Sequence, residues 1–257
     1  MRFQPSLAMT VILLAAVMIV QTDTEAEDGT SWPSGDTILA EVDANAGSRN
    51  KLIEAAMVIH GRRGTRTVQS RSWIEGTQRS FTEFLAPARE RGTKMLKLEN
   101  QLWTYTPTTD RIIKISGHLL RQAVMGSDLS YEDLMEDPEL SVLYWARTTG
   151  VDTLLGRPCW ILDLAAQEQD IAYHTRRVWV DQERAVMLRE ERFAKSGKLL
   201  KTTEVREVYE VQGRWIANHV VFRDMLKEGD GTEFLLESID FDVEIPPHIF
   251  SKAALRM

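Results

Sequence analysis

Imidazole moves protons near neutral pH and binds metals, so the five histidines come first. They stand at His60, His118, His174, His219 and His248, and no two have a metal-ligand spacing such as His-x-x-x-His. The single cysteine, Cys159, has no second thiol to join it in a zinc site or a disulfide. It precedes Trp160-Ile161-Leu162 in an apolar run and reads as a buried, inert thiol. Glu132 with Asp133, and Glu190 with Glu191, are adjacent carboxylates. Neighbours in a strand point to opposite faces, so the second pair is a poor acid–base couple. Both pairs read as solvated faces. Glycine-rich phosphate loops, nucleophile elbows and kinase signatures are missing. The expectation is a binding protein that is not an enzyme, with no cofactor and no metal.

Large apolar side chains are what the sequence supplies instead. Tryptophan recurs at Trp32, Trp73, Trp103, Trp145, Trp160, Trp179 and Trp215, and methionine at Met57, Met95, Met125, Met135, Met187 and Met225. Any one of them is ordinary core material. Together they also suit a wall for acyl chains, because the flexible thioether of methionine adapts to varied shapes. Each buried CH₂ contributes about 0.8 kcal/mol, so a lipid with several chains does not cross water unshielded. The aromatic residues ahead of position 106 nominate Trp73, Phe81, Phe84, Trp103 and Tyr105 as the wall of an apolar cavity. Strand alternation leaves open which of them face inward.

The N-terminus reads as an export signal. Arg2 gives the positive start, and Leu7 to Val20 is apolar over 14 residues apart from Thr10. That is short of the roughly 20 residues of a spanning helix, and Thr24-Glu25-Ala26 ends it with a small residue at the cleavage position. Residues 1–26 are therefore expected to be a removed signal peptide, 27–35 a polar tether, and 36–257 a single domain in the periplasm. Without Arg2, Asp23 and Glu25 the chain carries 30 basic and 36 acidic residues, which disfavours nucleic acid as a partner. No cysteine lies where a lipoprotein would carry one.

These side chains need elements to hold them. Asp36 is placed to cap a helix over about 37–46, with Ile38, Leu39 and Val42 on one side. Thereafter the pattern is short and strand-like: Leu52 to His60, Arg66 to Ile74, Arg79 to Leu85, Thr93 to Leu98, Gln101 to Tyr105 and Arg111 to Ile115. It resumes at Val142 to Gly150, Trp160 to Ala165, Ala172 to Val180, Ala185 to Lys195, Leu199 to Glu210, Trp215 to Leu226 and Thr232 to Val243. Between the two series, Leu119 to about Asp137 reads as helical. Gly126 is a stop signal there, and Ser130 with Asp133 makes a capping pair. Ile249 to Leu255 forms a closing turn. No βαβ alternation occurs, so the class is α+β, mainly β, with an antiparallel sheet. A dozen or so strands curl, and helices fill part of the concave side.

Met125-Gly126-Ser127-Asp128-Leu129-Ser130-Tyr131-Glu132-Asp133-Leu134 resembles the signature of the outer-membrane lipoprotein-sorting family, relatives of the periplasmic carrier LolA. Phe84 to Lys94, Trp103-Thr104-Tyr105-Thr106-Pro107 leading into Arg111 to Ile115, Trp179-Val180-Asp181 and Phe250-Ser251 are similar to the same family. The resemblance implies an incomplete β-barrel with a helical lid over a greasy cavity. It implies a carrier or chaperone for lipid or lipid-modified protein, with an inner-membrane exporter as a delivery partner and a role in outer-membrane biogenesis. The segment of Leu119, Leu120, Met125, Tyr131 and Leu134 would be the lid, moving on Gly117 and Gly126, or else a rigid plug. Cargo and oligomeric state stay open. Two alternatives stand beside the carrier: an envelope-stress or lipid-sensing regulatory binding protein, and a hydrolase of envelope components.

Overall fold

Alternating apolar and polar residues, punctuated by turn residues, give thirteen strands that form one antiparallel sheet. The computed structural model describes residues 32–61, 64–136 and 139–257. The expected signal peptide and the start of the tether lie outside the described residues. The strands before the helical segment are β1 (Asn50–Gly61), β2 (Gly64–Glu75), β3 (Arg79–Ala86), β4 (Lys94–Leu98), β5 (Gln101–Thr106) and β6 (Arg111–Ile115). After it come β7 (Tyr144–Leu154), β8 (Arg157–Ala166), β9 (Thr175–Asp181), β10 (Met187–Phe193), β11 (Leu199–Val211), β12 (Arg214–Asp224) and β13 (Thr232–Phe241). Their order across the sheet is β6-β5-β4-β3-β2-β1-β13-β12-β11-β10-β9-β8-β7. The first and last strands pair in the middle, Met57 opposite Phe234, and the barrel stays open.

This order has a topological consequence. β6 and β7 are consecutive in the chain yet form the two opposite edges of the sheet. The segment joining them, residues 116–143, must cross from one edge to the other. It does so as 3₁₀ turns Gly117–Arg121 and Val124–Gly126, then α2 (Tyr131–Met135) and α3 (Leu140–Leu143).

Two expected boundaries moved, each for a tertiary reason. Helix α1 (Gly35–Ala46) buries Ile38, Leu39 and Val42 as anticipated, but starts before Asp36. The Asp36 carboxylate accepts a hydrogen bond from the Ala146 amide at 2.7 Å, serving edge strand β7 instead of its own helix. A Cβ on Gly35 would lie 2.6 Å from the Ala146 carbonyl carbon, so glycine permits that approach. The run expected as strand from Val142 opens as helix α3, because Asp43 of α1 accepts from the amides of Leu140 (3.1 Å) and Ser141 (2.8 Å).

The register sorts the core between two faces. Helix α1 packs on Leu140, Tyr144, Leu162, Leu164, Val178 and Val180. Arg176, two residues from Val178 on β9, pairs with Glu136 just beyond α2. Helix α1 and the crossing segment therefore share one face, here the insert face. On the outer face the two C-terminal 3₁₀ turns, Pro247–Phe250 and Ala254–Arg256, cover β3–β6.

Candidate functional site: the insert face

The crossing insert begins as a chain with few anchors. None of the residues of Gly117–Arg121 is buried, and among Val124–Gly126 only Val124 is. Gly126 has φ +70°, and a Cβ there would come 2.9 Å from the Arg66 guanidinium, so the position suits glycine twice over. Arg66 donates to the Met125 carbonyl. Ser127 and Asp128 then fasten the insert to the strands below. The Asp128 carboxylate accepts from Thr232 Oγ1 (2.7 Å) and from the Asp224 amide (3.0 Å), and the Ser127 carbonyl accepts from Lys227 Nζ (2.8 Å).

Helix α2 opens with a capping box. The Asp133 amide donates to Ser130 Oγ, and the Ser130 amide donates to Asp133 Oδ2 at 2.6 Å. The same carboxylate reaches the sheet. It accepts from Lys201, from Tyr173 Oη at 2.5 Å, and from Arg192 at 3.1 Å. A second centre lies alongside, where Glu190 accepts from Arg176 Nη1 (2.5 Å) and Arg192 Nε (2.9 Å). Arg176 also donates to Glu136. The side chains of Asp133, Glu190 and Arg176 are 4%, 3% and 1% exposed. The expectation of solvated carboxylates is thus overturned for Asp133 and Glu190. Register explains it: Glu190 and Arg192 point to one face of β10, and Arg176 and Lys201 stand beside Arg192 on the flanking strands.

Burial opposes the charge on Asp133. Lys201 and Arg192 outweigh it, helped by hydrogen bonds from Lys201 and Tyr173, and hold the carboxyl at about 2. Glu190 is likewise opposed by burial and held at about 2 by Arg192 and Arg176. Burial, with the neighbouring Asp133 charge, pushes the Tyr173 phenol up. Near neutral pH the acids are therefore ionised and paired and the phenol keeps its proton. None of them is poised to exchange a proton with a substrate. The arrangement is suited to anchoring.

Beside this network lies an apolar seam. Met57, Ile59, Val68, Phe84, Met95 and Val124 are buried together, with Met125, Leu129, Tyr131 and Phe234 packed against them. The seam is filled by the insert itself. Two cavities of mixed polar and apolar lining flank the insert. One, of about 410 Å³, lies between Ser130 and Glu132 of the insert and Lys201 and Lys227 of the sheet side. The other, of about 540 Å³, lies between Met125 and Tyr131 and the sheet residues Arg66, Thr93 and Thr104.

The five nominated wall residues do not form one wall. Phe84 lies in the seam under the insert. Trp73, Phe81, Trp103 and Tyr105 gather on the outer face with Leu96, beneath Ile249, Phe250, Ala254 and Leu255. Trp73 and Phe81 stand opposite each other in register, as do Leu96 and Trp103, which is what puts them on one side. Of the insert residues, Met125 and Tyr131 touch the seam, Leu119 and Leu120 are half-buried, and Leu134 is exposed. Cys159 is buried, and burial pushes its thiol up.

The histidines hold one surprise. His60 Nε2 and His219 Nε2 each lie 2.7 Å from a different oxygen of Glu233, across β1, β13 and β12. No local spacing reveals this, since 159 positions separate the two imidazoles. These hydrogen bonds lower the Glu233 carboxyl. Among the described residues no group of three or more His, Cys, Asp or Glu is placed to hold a metal ion. No described helix is long and apolar enough to cross a membrane.

An open antiparallel half-barrel crossed on one face by a capped helical insert defines a class with solved members. A putative outer membrane lipoprotein-sorting protein domain from Vibrio parahaemolyticus superposes with TM-score 0.76 at 21% identity, covering 87% of this chain and 98% of that one. A DUF1329 family protein from Desulfovibrio piger gives 0.78 at 23%, covering 86% and 97%. A LolA superfamily protein from Nitrosomonas europaea gives 0.72 at 19%, covering 87% and 100%. At these identities the likeness is one of fold, and the fold is LolA-like. A family model described as "Uncharacterized protein" matches residues 76–257, and the chain belongs to that family. No curated protein matches the chain.

Proposed function

We propose that this protein is a periplasmic carrier or chaperone, without catalytic turnover, that takes acyl chains of a lipid or lipid-modified protein on the insert face. Delivery to or from an inner-membrane exporter would complete its cycle. The observation that carries this reading is the way the seam is covered. Methionine and aromatic side chains at Met57, Phe84 and Met95 meet Val124, Met125, Leu129 and Tyr131 of an insert that is also tied to the sheet by polar contacts at Asp128 and Asp133. An acyl chain replaces Met125 and Tyr131 at like-for-like apolar contacts, and the insert swings away as a lid. Exchange of one apolar partner for another costs far less than exposing the seam to water.

The test has two parts. Protein recovered from the native envelope should carry lipid or lipidated peptide in native mass spectrometry. The paired substitution Asp128→Cys with Thr232→Cys, oxidised to a disulfide, should block uptake of a fluorescent fatty acid, and reduction should restore it. Unchanged uptake in the locked protein would show that the insert is a plug, and lipid-free native protein would remove the carrier reading.

A further inference from the structure

The outer face carries an unassigned slot far along the sheet from the C-terminal turns. Its shape follows from register. Trp145, Ala165, Thr175 and Phe193 stand side by side across β7, β8, β9 and β10. Two small residues between two aromatic ones leave a trough, and three strand spacings put its walls roughly 14 Å apart. The next row on the same face is Arg147, Asp163 and Arg177. The cavity between the rows measures about 600 Å³, and its floor is the backbone of Ala146, Leu164 and Arg176. Trp145 is 64% exposed, an unusual position for an indole with no neighbour to cover it.

The charges on the rim are unequal. Asp163 is taken by Arg177, through Nε at 2.7 Å and Nη2 at 3.2 Å. The Arg147 side chain has no hydrogen-bond or ionic partner among the described residues, and the residue is exposed beside the trough. A trough with aromatic ends and one uncommitted guanidinium at its rim complements an apolar body with a single anionic head. An added β-strand does not fit here. The free edge of β7 is already used at this end, where Ala146 donates to Asp36 and Thr148 Oγ1 donates to the Pro33 carbonyl at 2.7 Å.

We propose that this slot binds a fatty acid, its alkyl chain lying across Ala165 and Thr175 between Trp145 and Phe193 and its carboxylate on Arg147. The site is separate from the seam under the insert and lies on the opposite face of the sheet. Dodecanoate bearing a photoreactive diazirine tests it on the full chain. Labelling should fall on the segments holding Trp145, Ala165, Thr175 and Phe193, and Ala165→Trp should abolish it by filling the trough. Arg147→Gln, at an exposed position that folding does not depend on, should raise the half-saturating concentration of the acid on the order of tenfold. The same variant should leave labelling by the matching diazirine dodecanol unchanged. Label confined to the Met57, Phe84 and Met125 segments would overturn the slot while supporting the seam. Equal response of acid and alcohol to Arg147→Gln would remove the carboxylate site.

Discussion

Two short helical segments each cover part of the sheet, and they are held by different physics. The C-terminal turns put Leu255 at 0% exposure and Ala254 at 7% against Phe81, Leu96 and Trp103 on the outer face. From Gly117 to Met135 the insert buries one apolar side chain, Val124, with Met125, Leu129 and Tyr131 packed against the same seam, and the rest of its hold comes from Asp128, Asp133 and the groups that meet them. Apolar burial is non-directional and holds until the whole patch is exposed. Buried ion pairs are directional: they place a segment in one position, and removing one partner leaves the others stranded. The difference reads as a cover held by apolar burial on one face and one positioned by ion pairs on the other.

The largest expected effect breaks the insert's side of that comparison. Asp133→Ala takes from Lys201 its carboxylate partner and from Arg192 one of its two, Glu190 remaining, and should cost about 4 kcal/mol. Hydrogen exchange at the amides of residues 124–135 should then quicken by two to three orders of magnitude, on the order of that free energy. Amides of β3 to β6 should keep their protection. Next in size is Leu255→Ala, which removes a fully buried leucine and should cost about 3 kcal/mol. Here the loss should appear as a lower Tm of the whole sheet with no selective loosening of the insert. If both variants loosen the same amides, the two covers are one cooperative unit and the contrast fails.

Much of the scaffold was legible in the sequence. Thirteen strand candidates correspond to thirteen strands, and Arg111–Ile115 has the expected ends. Local alternation and turn residues carry that information. The Ser130–Asp133 cap was legible for the same reason, being a contact three residues apart. What stayed hidden is long-range. That β6 and β7 end on opposite edges, forcing the insert across a face, depends on β1 finding β13 some 180 residues away. The faces of Trp73, Phe81, Trp103 and Tyr105 depend on register, which a one-residue slip inverts. Glu190 looked like half of a surface pair until β9 brought Arg176 beside it. β10 carries four charges in a row, Arg189 to Arg192, so both of its faces read as polar and no local signal marks the covered one.

Acid sharpens the comparison at a middle scale. Asp133 and Glu190 ordinarily titrate near 4 and are held at about 2 when folded. Their carboxyls are depressed, so the unfolded or detached chain binds protons first as pH falls. The stabilisation is fully present above the ordinary carboxylate values and is lost as pH drops from about 4 to about 2. Asp133 should contribute about 2 kcal/mol across that window and Glu190 about 3 kcal/mol, since both are almost fully buried. Exchange protection of the insert should be flat from pH 7 to 5 and fall below 4. The segment around Leu255, which rests on apolar contacts, should hold its protection further down. Parallel loss in both segments would show that acid unfolds the sheet before it frees the insert.

The smallest effect separates the cap from the ions. In Ser130→Ala the Asp133 amide loses its acceptor, Ser130 Oγ, and Lys201 loses a contact at 3.4 Å. Asp133 keeps the Ser130 backbone amide, Tyr173, Arg192 and Lys201. The cap and the Ser130 hydroxyl's bond to Asp133 Oδ2 (2.7 Å) are removed while the charge pairs stay, about 1 kcal/mol, or roughly a fivefold rise in exchange at the first turn of α2. The same two residues divide the roles: Ser130 closes the helix on itself, while Asp133 closes it on the sheet. A loss in Ser130→Ala as large as that in Asp133→Ala would mean that the capped turn anchors the insert and the cations merely follow it. A loss several times smaller places the hold in the contacts between the insert and β9, β10 and β11.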